Sequence, residues 1–208
     1  MARRRAARTA DTREAVFDAA AALFSARGFN GVTVDDIATR ARVNKAMIYY
    51  HYPDKLALYR AIVRDMLRAA GARVTAIAAG PEPPADRLQA FIASFMQLAD
   101  TRPWFPTLML REMAEGAPHL DAATLGLMRA VFAAFGSILA DGQASGSFRH
   151  VHPVMAYLSI VGPILLNAAR ERSASRAGRK KLPMFVDLPH AELTAHLQQS
   201  ALRILTRS

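Results

Sequence analysis

From Asp11 onward, apolar positions recur at three- and four-residue steps, with Val16, Ala19, Ala20, Leu23 and Phe24 on one helical face. Gly28 then offers the left-handed conformation that ends a helix, and Phe29 can fold back onto it. Thr33, with Asp36 three positions on, marks the start of a second helix in the manner of a capping box. Ile37, Ala38 and Ala41 form its inward side, and Arg42-Val43 form a turn. Asn44 is a good N-cap for a very short third helix, Lys45 to Tyr50. After the break at Pro53-Asp54, Lys55 opens a long amphipathic helix to about Ala79, with Leu56, Tyr59, Ile62, Val63, Met66 and Leu67 on its apolar side.

The cluster Gly80-Pro81-Glu82-Pro83-Pro84 interrupts the pattern. Beyond it the periodicity predicts helices near 86–100, 103–115, 119–140, 153–172 and 190–206, with a turn-rich loop at 141–146 and a basic, then apolar, loop at 173–189. No stretch alternates like a strand, and there is no internal repeat. The expected fold is all-α, with an N-terminal three-helix helix-turn-helix domain and a C-terminal helical domain. The divisions expected are a flexible basic arm at 1–10, the helix-turn-helix domain at 11–58, and the rest of the chain at 59–208.

Composition sharpens this picture. Just over half of the 208 residues are hydrophobic, which excludes a disordered chain and allows a sizeable core. The formal net charge is +10 and is uneven: residues 1–60 hold eleven Lys/Arg against six Asp/Glu, and 170–181 hold six against one. Local basic regions of this kind suggest a polyanionic partner. With no cysteine there is neither a disulfide framework nor a thiolate metal site. His150 and His152 lack a third ligand, so no metal is expected, and no cofactor motif is present. The basic N-terminus has no apolar stretch after it, unlike a signal peptide. The uncharged run 153–169 is shorter than a span of about 20 residues and is interrupted by Gly162-Pro163. A buried helix, no membrane partner and a cytoplasmic location are therefore expected.

The first three helices carry the function. A helix that enters a major groove about 12 Å wide needs aliphatics inside and small or polar side chains outside. Ile37, Val43 and Ile48 can build the inner seam, Lys45 and Tyr49 share an outer face, and Ala46 allows close approach to base edges. The N-termini capped by Thr33 and Asn44 suit phosphate oxygens.

The residues in this order resemble the DNA-binding domain of the TetR/AcrR family of regulators. The frame runs without insertion from Val16 through Gly28-Phe29, Thr33-Val34, Ile37-Ala38, Ala41 and Val43 to Ile48-Tyr49-Tyr50-His51-Tyr52, Lys55 and Leu58. The resemblance implies that Thr33 anchors a phosphate, Lys45 and Ala46 approach base edges, and Tyr49 meets a thymine methyl or a phosphate. It also implies that Tyr50, His51 and Lys55 hold phosphates and that Asn44 caps and reaches the backbone. Tyr52 reads as core. Arg42 stands where the family often has glycine, and Met47 replaces a more usual small hydroxyl residue.

For the C-terminal domain the resemblance implies a small-molecule effector and homodimerisation. A largely apolar effector pocket can be drawn from Phe91, Phe95, Met96, Trp104, Phe105, Leu108, Met109, Met128, Phe132 and Phe135, with Trp104 the leading candidate. The dimer interface is expected at Leu158, Val161, Ile164, Leu165, Leu197, Ala201 and Leu205. The pair Arg111-Glu112 reads as a structural ion pair near the domain junction. The function so implied is that of a repressor released from a palindromic double-stranded DNA operator by its effector. A nonspecific architectural DNA-binding protein and a small helical enzyme are the competing classes, although no catalytic constellation has convincing spacing.

Overall fold

The computed structural model describes residues 2–177 and 188–206, with side chains from 11 to 170 and from 188 to 206. The described residues form helices joined by loops, with no strand among them. The order is α1 (Ala2–Arg27), α2 (Val34–Ala41), α3 (Lys45–His51), α4 (Lys55–Ala78), α5 (Pro84–Thr101), α6 (Phe105–Ala114), α7 (Ala122–Ala144), α8 (Pro153–Ala177) and α9 (His190–Leu205).

Local signals set the ends of the first helices. Gly28 takes φ 76°, and Phe29 returns to stack on Phe24 with ring centroids 5.8 Å apart. The capping box forms in full, because Asp36 Oδ2 accepts from the Thr33 backbone N–H at 2.9 Å while Thr33 Oγ1 accepts from the Asp36 N–H at 3.1 Å. Asn44 Oδ1 accepts from Ala46 N–H at 2.9 Å at the head of α3. Arg42 sits at φ 57°, ψ 41°, so the turn between α2 and α3 keeps its left-handed geometry without the expected glycine.

Several boundaries differ from expectation. Helix α1 begins at Ala2, so the segment expected as a flexible arm continues the helix. The expected loop at 141–146 largely belongs to α7, where the Phe148 ring packs onto the backbone of Gly142; a Cβ built there would stand 2.0 Å from Phe148 Cδ2. Helix α8 runs through Gly162-Pro163, since Ile160, Val161 and Ile164 are buried on either side and their packing outweighs the hydrogen bond that proline deletes. It also continues to Ala177; residues 178–181 of the basic run and most of the following apolar segment lie outside the described residues.

Two hydrophobic cores form. The first joins α1, α2 and α3 to the first half of α4 through Phe24, Ile37, Ile48, Leu58 and Ile62, and it also takes in Trp104, Phe105, Leu108 and Met109. The second gathers Val74 and Ala78 of α4 with Phe91, Phe135, Ile138, Ile164 and Leu205. Helix α4, 24 residues and so about 36 Å long, passes from one core into the other and lies along α7. Its C-terminal end is held by buried Arg87, whose Nη1 donates to Ala78 O at 2.6 Å and to Asp141 Oδ2 at 2.8 Å.

Candidate nucleic-acid interface and effector cavity

Helix α3 is pinned from beneath by Ile48, which is buried, and by Tyr52, buried as expected at its C-cap, with Arg13 Nε donating to the Tyr52 hydroxyl at 3.4 Å. The opposite side is open. Asn44, Lys45 and Ala46 are exposed, Tyr49 is 48% exposed and Tyr50 is 74% exposed. Two exposed tyrosines beside a lysine on one short helix form a surface with both flat apolar rings and donors, the combination that base edges and phosphates call for.

The remaining expected contact residues have other duties. The Thr33 hydroxyl also donates to Asp36 Oδ2 at 2.8 Å, and Asp35 and Asp36 fill the first turn of α2. Carboxylates there complement the helix dipole, and the Thr33 hydroxyl is engaged in capping. Hydrogen bonding by Thr33, rather than the nearby Arg27, chiefly lowers the Asp36 pKa. Lys55 Nζ donates to Phe29 O at 3.0 Å and Val32 O at 2.9 Å and lies 4.2 Å from the centre of the Phe29 ring. Lys55 thereby fixes the loop after α1 to α4. His51 is half-buried, and its Nε2 is shut off without a hydrogen-bond partner. Lys45 is tethered, with Nζ 2.9 Å from Asp35 Oδ2, and the bond raises the pKa of the lysine. The side chains of Arg3, Arg4, Arg5 and Arg8 lie outside those described.

Within the first core, Tyr59 of α4 donates its hydroxyl to Glu112 Oε1 of α6 at 2.6 Å, and His119 Nδ1 stands 2.7 Å from the same oxygen. Glu112 is buried at 2% exposure, so the expected pairing with adjacent Arg111 is replaced by these two partners. Burial first, then the bond to Glu112, pushes the Tyr59 phenol far up and keeps it a neutral donor. Nearby, Asp121 caps α7 by accepting from Thr124, and it also pairs with Arg64 and Arg60.

The C-terminal helices enclose a cavity of about 450 Å³, within the range of about 300–1,000 Å³ common for small-molecule sites. Phe95, Phe105, Met109, Met128 and Phe132 line it among the residues proposed from sequence. Phe91, Met96, Trp104, Leu108 and Phe135 do not. Phe91 and Phe135 pack on each other at 5.4 Å in the second core, and Met96 is buried in the same core. Leu108 belongs to the first core, and Trp104 meets Phe17 of α1 edge-on at 6.4 Å, which makes it a wedge between the domains. Sequence reasoning missed Leu67 and Ala70 of α4, Arg129 of α7 and Tyr157 of α8. Arg129 had a visible signal, being the first charge after Asp121 and the one charge in the run 122–140.

The dimer residues also divide. Val161, Ile164, Ala201 and Leu205 are buried within the protomer, because the covered face of each helix is the one that meets α5 and its neighbours. Leu165 and Leu197 are half-buried. Leu158 is 53% exposed and shares the outer side of α8 with Val154, Met155 and Leu166. Among the described residues no group of three or more His, Asp or Glu is placed to hold a metal ion.

Comparison with known proteins agrees with this architecture. Residues 16–62 match the family described as bacterial regulatory proteins, tetR family, and residues 81–165 match the tetracyclin repressor-like C-terminal domain. The chain is 29% identical over 141 residues to the HTH-type transcriptional regulator RutR of Escherichia coli K12, covering 68% of this chain and 66% of that protein. It is 29% identical over 150 residues to the HTH-type transcriptional repressor NicS of Pseudomonas putida, covering 66% of each. The match thus spans just under two thirds of these relatives' length. The ketosteroid transcriptional regulator KstR2 of Mycobacterium tuberculosis shares the fold, with a TM-score of 0.76 at 18% identity over 94% of this chain and 95% of that one. From the capped, left-handed turn before α3 to the two matched domains that α4 joins, the chain belongs to the TetR family of bacterial regulatory proteins.

Proposed function

We propose that this protein is a cytoplasmic, homodimeric repressor that reads a near-palindromic DNA operator with α3 and leaves it when a small, largely apolar molecule enters the cavity. The observation that carries this reading is the exposed row Asn44, Lys45, Ala46, Tyr49 and Tyr50, mounted on a helix whose other side is locked by Ile48. Lys45 and Ala46 would meet base edges. Tyr49, Tyr50, the Asn44 end of α3 and the accessible part of His51 would hold the backbone. Thr33 and Lys55 would serve by keeping α2 and α4 in register with α3. The relatives are regulators and not enzymes, and no catalytic role is assigned.

Two such helices must stand about 34–36 Å apart to enter successive major grooves. The outer side of α8, with Val154, Met155, Leu158 and Leu166, supports pairing of two protomers, because it is an apolar strip left exposed by the described residues. Release would follow from α4. Leu67 and Ala70 of this helix line the cavity, while Leu58 and Tyr59 stand in the core beneath α3. An effector that fits one setting of α4 better than another shifts DNA affinity by the ratio of its two affinities, typically about 5- to 150-fold.

The test is selection of genomic DNA fragments with the purified protein, followed by titration of the best fragment beside a scrambled control at physiological salt. A preference of about a thousandfold for an inverted repeat, lost in Lys45→Ala and Tyr49→Ala, is the expected result. Equal weak binding to both fragments would overturn specific repression in favour of an architectural role.

A further inference from the structure

The cavity wall is apolar almost throughout, and its polar exceptions are two side chains, Arg129 and Tyr157. Among the described residues no carboxylate lines it. Arg129 makes no ion pair or hydrogen bond among the described residues, whereas Arg60 and Arg64 share Asp121 and Arg87 holds Asp141. Its side chain runs back along α7, with Nη2 3.9 Å from where a Cβ on Gly126 would stand, an ordinary van der Waals distance. Arg129 is exposed while it borders the cavity, as are Leu125 and Met113, which puts the charge at the solvent-facing mouth. Tyr157 stands deeper, its ring edge-on to Phe132 at 5.3 Å and Phe135 at 5.4 Å, and its hydroxyl has no hydrogen-bond partner among the described residues. Burial pushes that phenol up to about 12, so it is a neutral donor and adds no charge of its own.

From this arrangement we infer that the cavity selects an anionic amphipath, an apolar body carrying a carboxylate-type head that pairs with Arg129 at the mouth. The inference deepens the effector reading above and rests on it. A guanidinium at an apolar mouth offers a carboxylate two parallel N–H donors, penalises a cation in the same place and leaves a neutral head group with less to gain. The apolar wall supplies affinity without regard to charge. Charge discrimination therefore falls to one residue.

Calorimetric titration of the full chain with dodecanoate, dodecanol and dodecyltrimethylammonium, each below its micellar concentration, tests this without DNA. Dodecanoate should bind about fivefold or more tighter than dodecanol, with the cation weakest, as expected for one charge-assisted pair at a partly solvated site. Arg129→Lys should retain that order and Arg129→Glu should invert it, a result that misfolding cannot imitate. Equal binding of the three probes, or an order unmoved by Arg129→Glu, would overturn anion selection and leave the apolar cavity standing. Binding of none of them would overturn it together with the effector reading.

Discussion

Tyr59 and Glu112 are 53 positions apart in sequence, yet the tyrosine hydroxyl lies 2.6 Å from the glutamate carboxylate in a buried setting where α4 crosses α6. Removing the donor strands a buried acceptor, since Glu112 Oε2 already lacks a partner and Oε1 would keep only His119. Tyr59→Phe should cost about 1.5–3 kcal/mol of unfolding free energy, the range for a buried hydrogen bond to a charged group. A double-mutant cycle with Glu112→Gln, followed by denaturant unfolding, should give a coupling of about 1 kcal/mol or more. Additive effects would mean that the two residues act independently.

Asp35 holds Lys45 at 2.9 Å on the surface proposed to meet DNA, and its side chain is 71% exposed. Its carboxylate competes with the polyanion for the same ammonium group. Asp35→Ala should tighten binding to operator and scrambled DNA alike by about two- to fivefold at low salt, because one repulsive charge leaves the interface. Lys45→Ala should weaken operator binding by about tenfold to a hundredfold and narrow the ratio between the two DNAs. Fluorescence anisotropy at two salt concentrations separates these outcomes, and unchanged affinities in Asp35→Ala would show that the ion pair does not oppose binding.

Arg42 occupies a left-handed conformation in the turn between α2 and α3. An L-residue there pays about 1–2 kcal/mol, partly offset by the greater unfolded-state freedom of glycine. Arg42→Gly should thus stabilise the protein by about 0.5–1 kcal/mol in denaturant titration, whereas Arg42→Val should destabilise it. A destabilised glycine variant would mean that the arginine side chain itself holds the turn.

The carboxyl of Asp121 is lowered to about 2, first by its hydrogen bonds from the Thr124 hydroxyl and backbone N–H, then by Arg64 and Arg60. The unfolded chain binds this proton at higher pH than the folded one, so its stabilisation is complete above an ordinary 3.8 and disappears as pH falls towards 2. Unfolding free energy plotted against pH should decline less steeply between pH 4 and pH 2 in Asp121→Asn than in the wild type. Parallel curves would remove Asp121 from the acid response.

The legible parts of this chain were those set by local chemistry. Gly28 with Phe29, Thr33 with Asp36, and Asn44 before Lys45 each act within a few residues, and their ends of helices formed as the pattern implied. Less legible were choices settled between distant segments. Trp104 and Leu108 have the composition of pocket residues, but Phe17 and the first core claim them. Val161 and Ile164 look like interface residues until the turn of α8 against α5 directs them inward. Lys55 and Thr33 have side chains suited to phosphate, and only the positions of Phe29 O, Val32 O and Asp36 show that these groups are already engaged. Helical spacing gives a face, whereas the identity of the neighbour depends on crossings that spacing alone leaves open.

Helix α4 bears on how such proteins can be recombined. Because it belongs to both cores, a graft of a foreign DNA-reading head at position 58 would cut through packing that continues to Leu67 and that α6 completes with Trp104, Phe105, Leu108 and Met109. The exchangeable unit is consequently discontinuous in sequence. A chimera that also carried the matching face of α6 would preserve the seam, while one joined at the apparent domain edge would inherit two half-fitting surfaces.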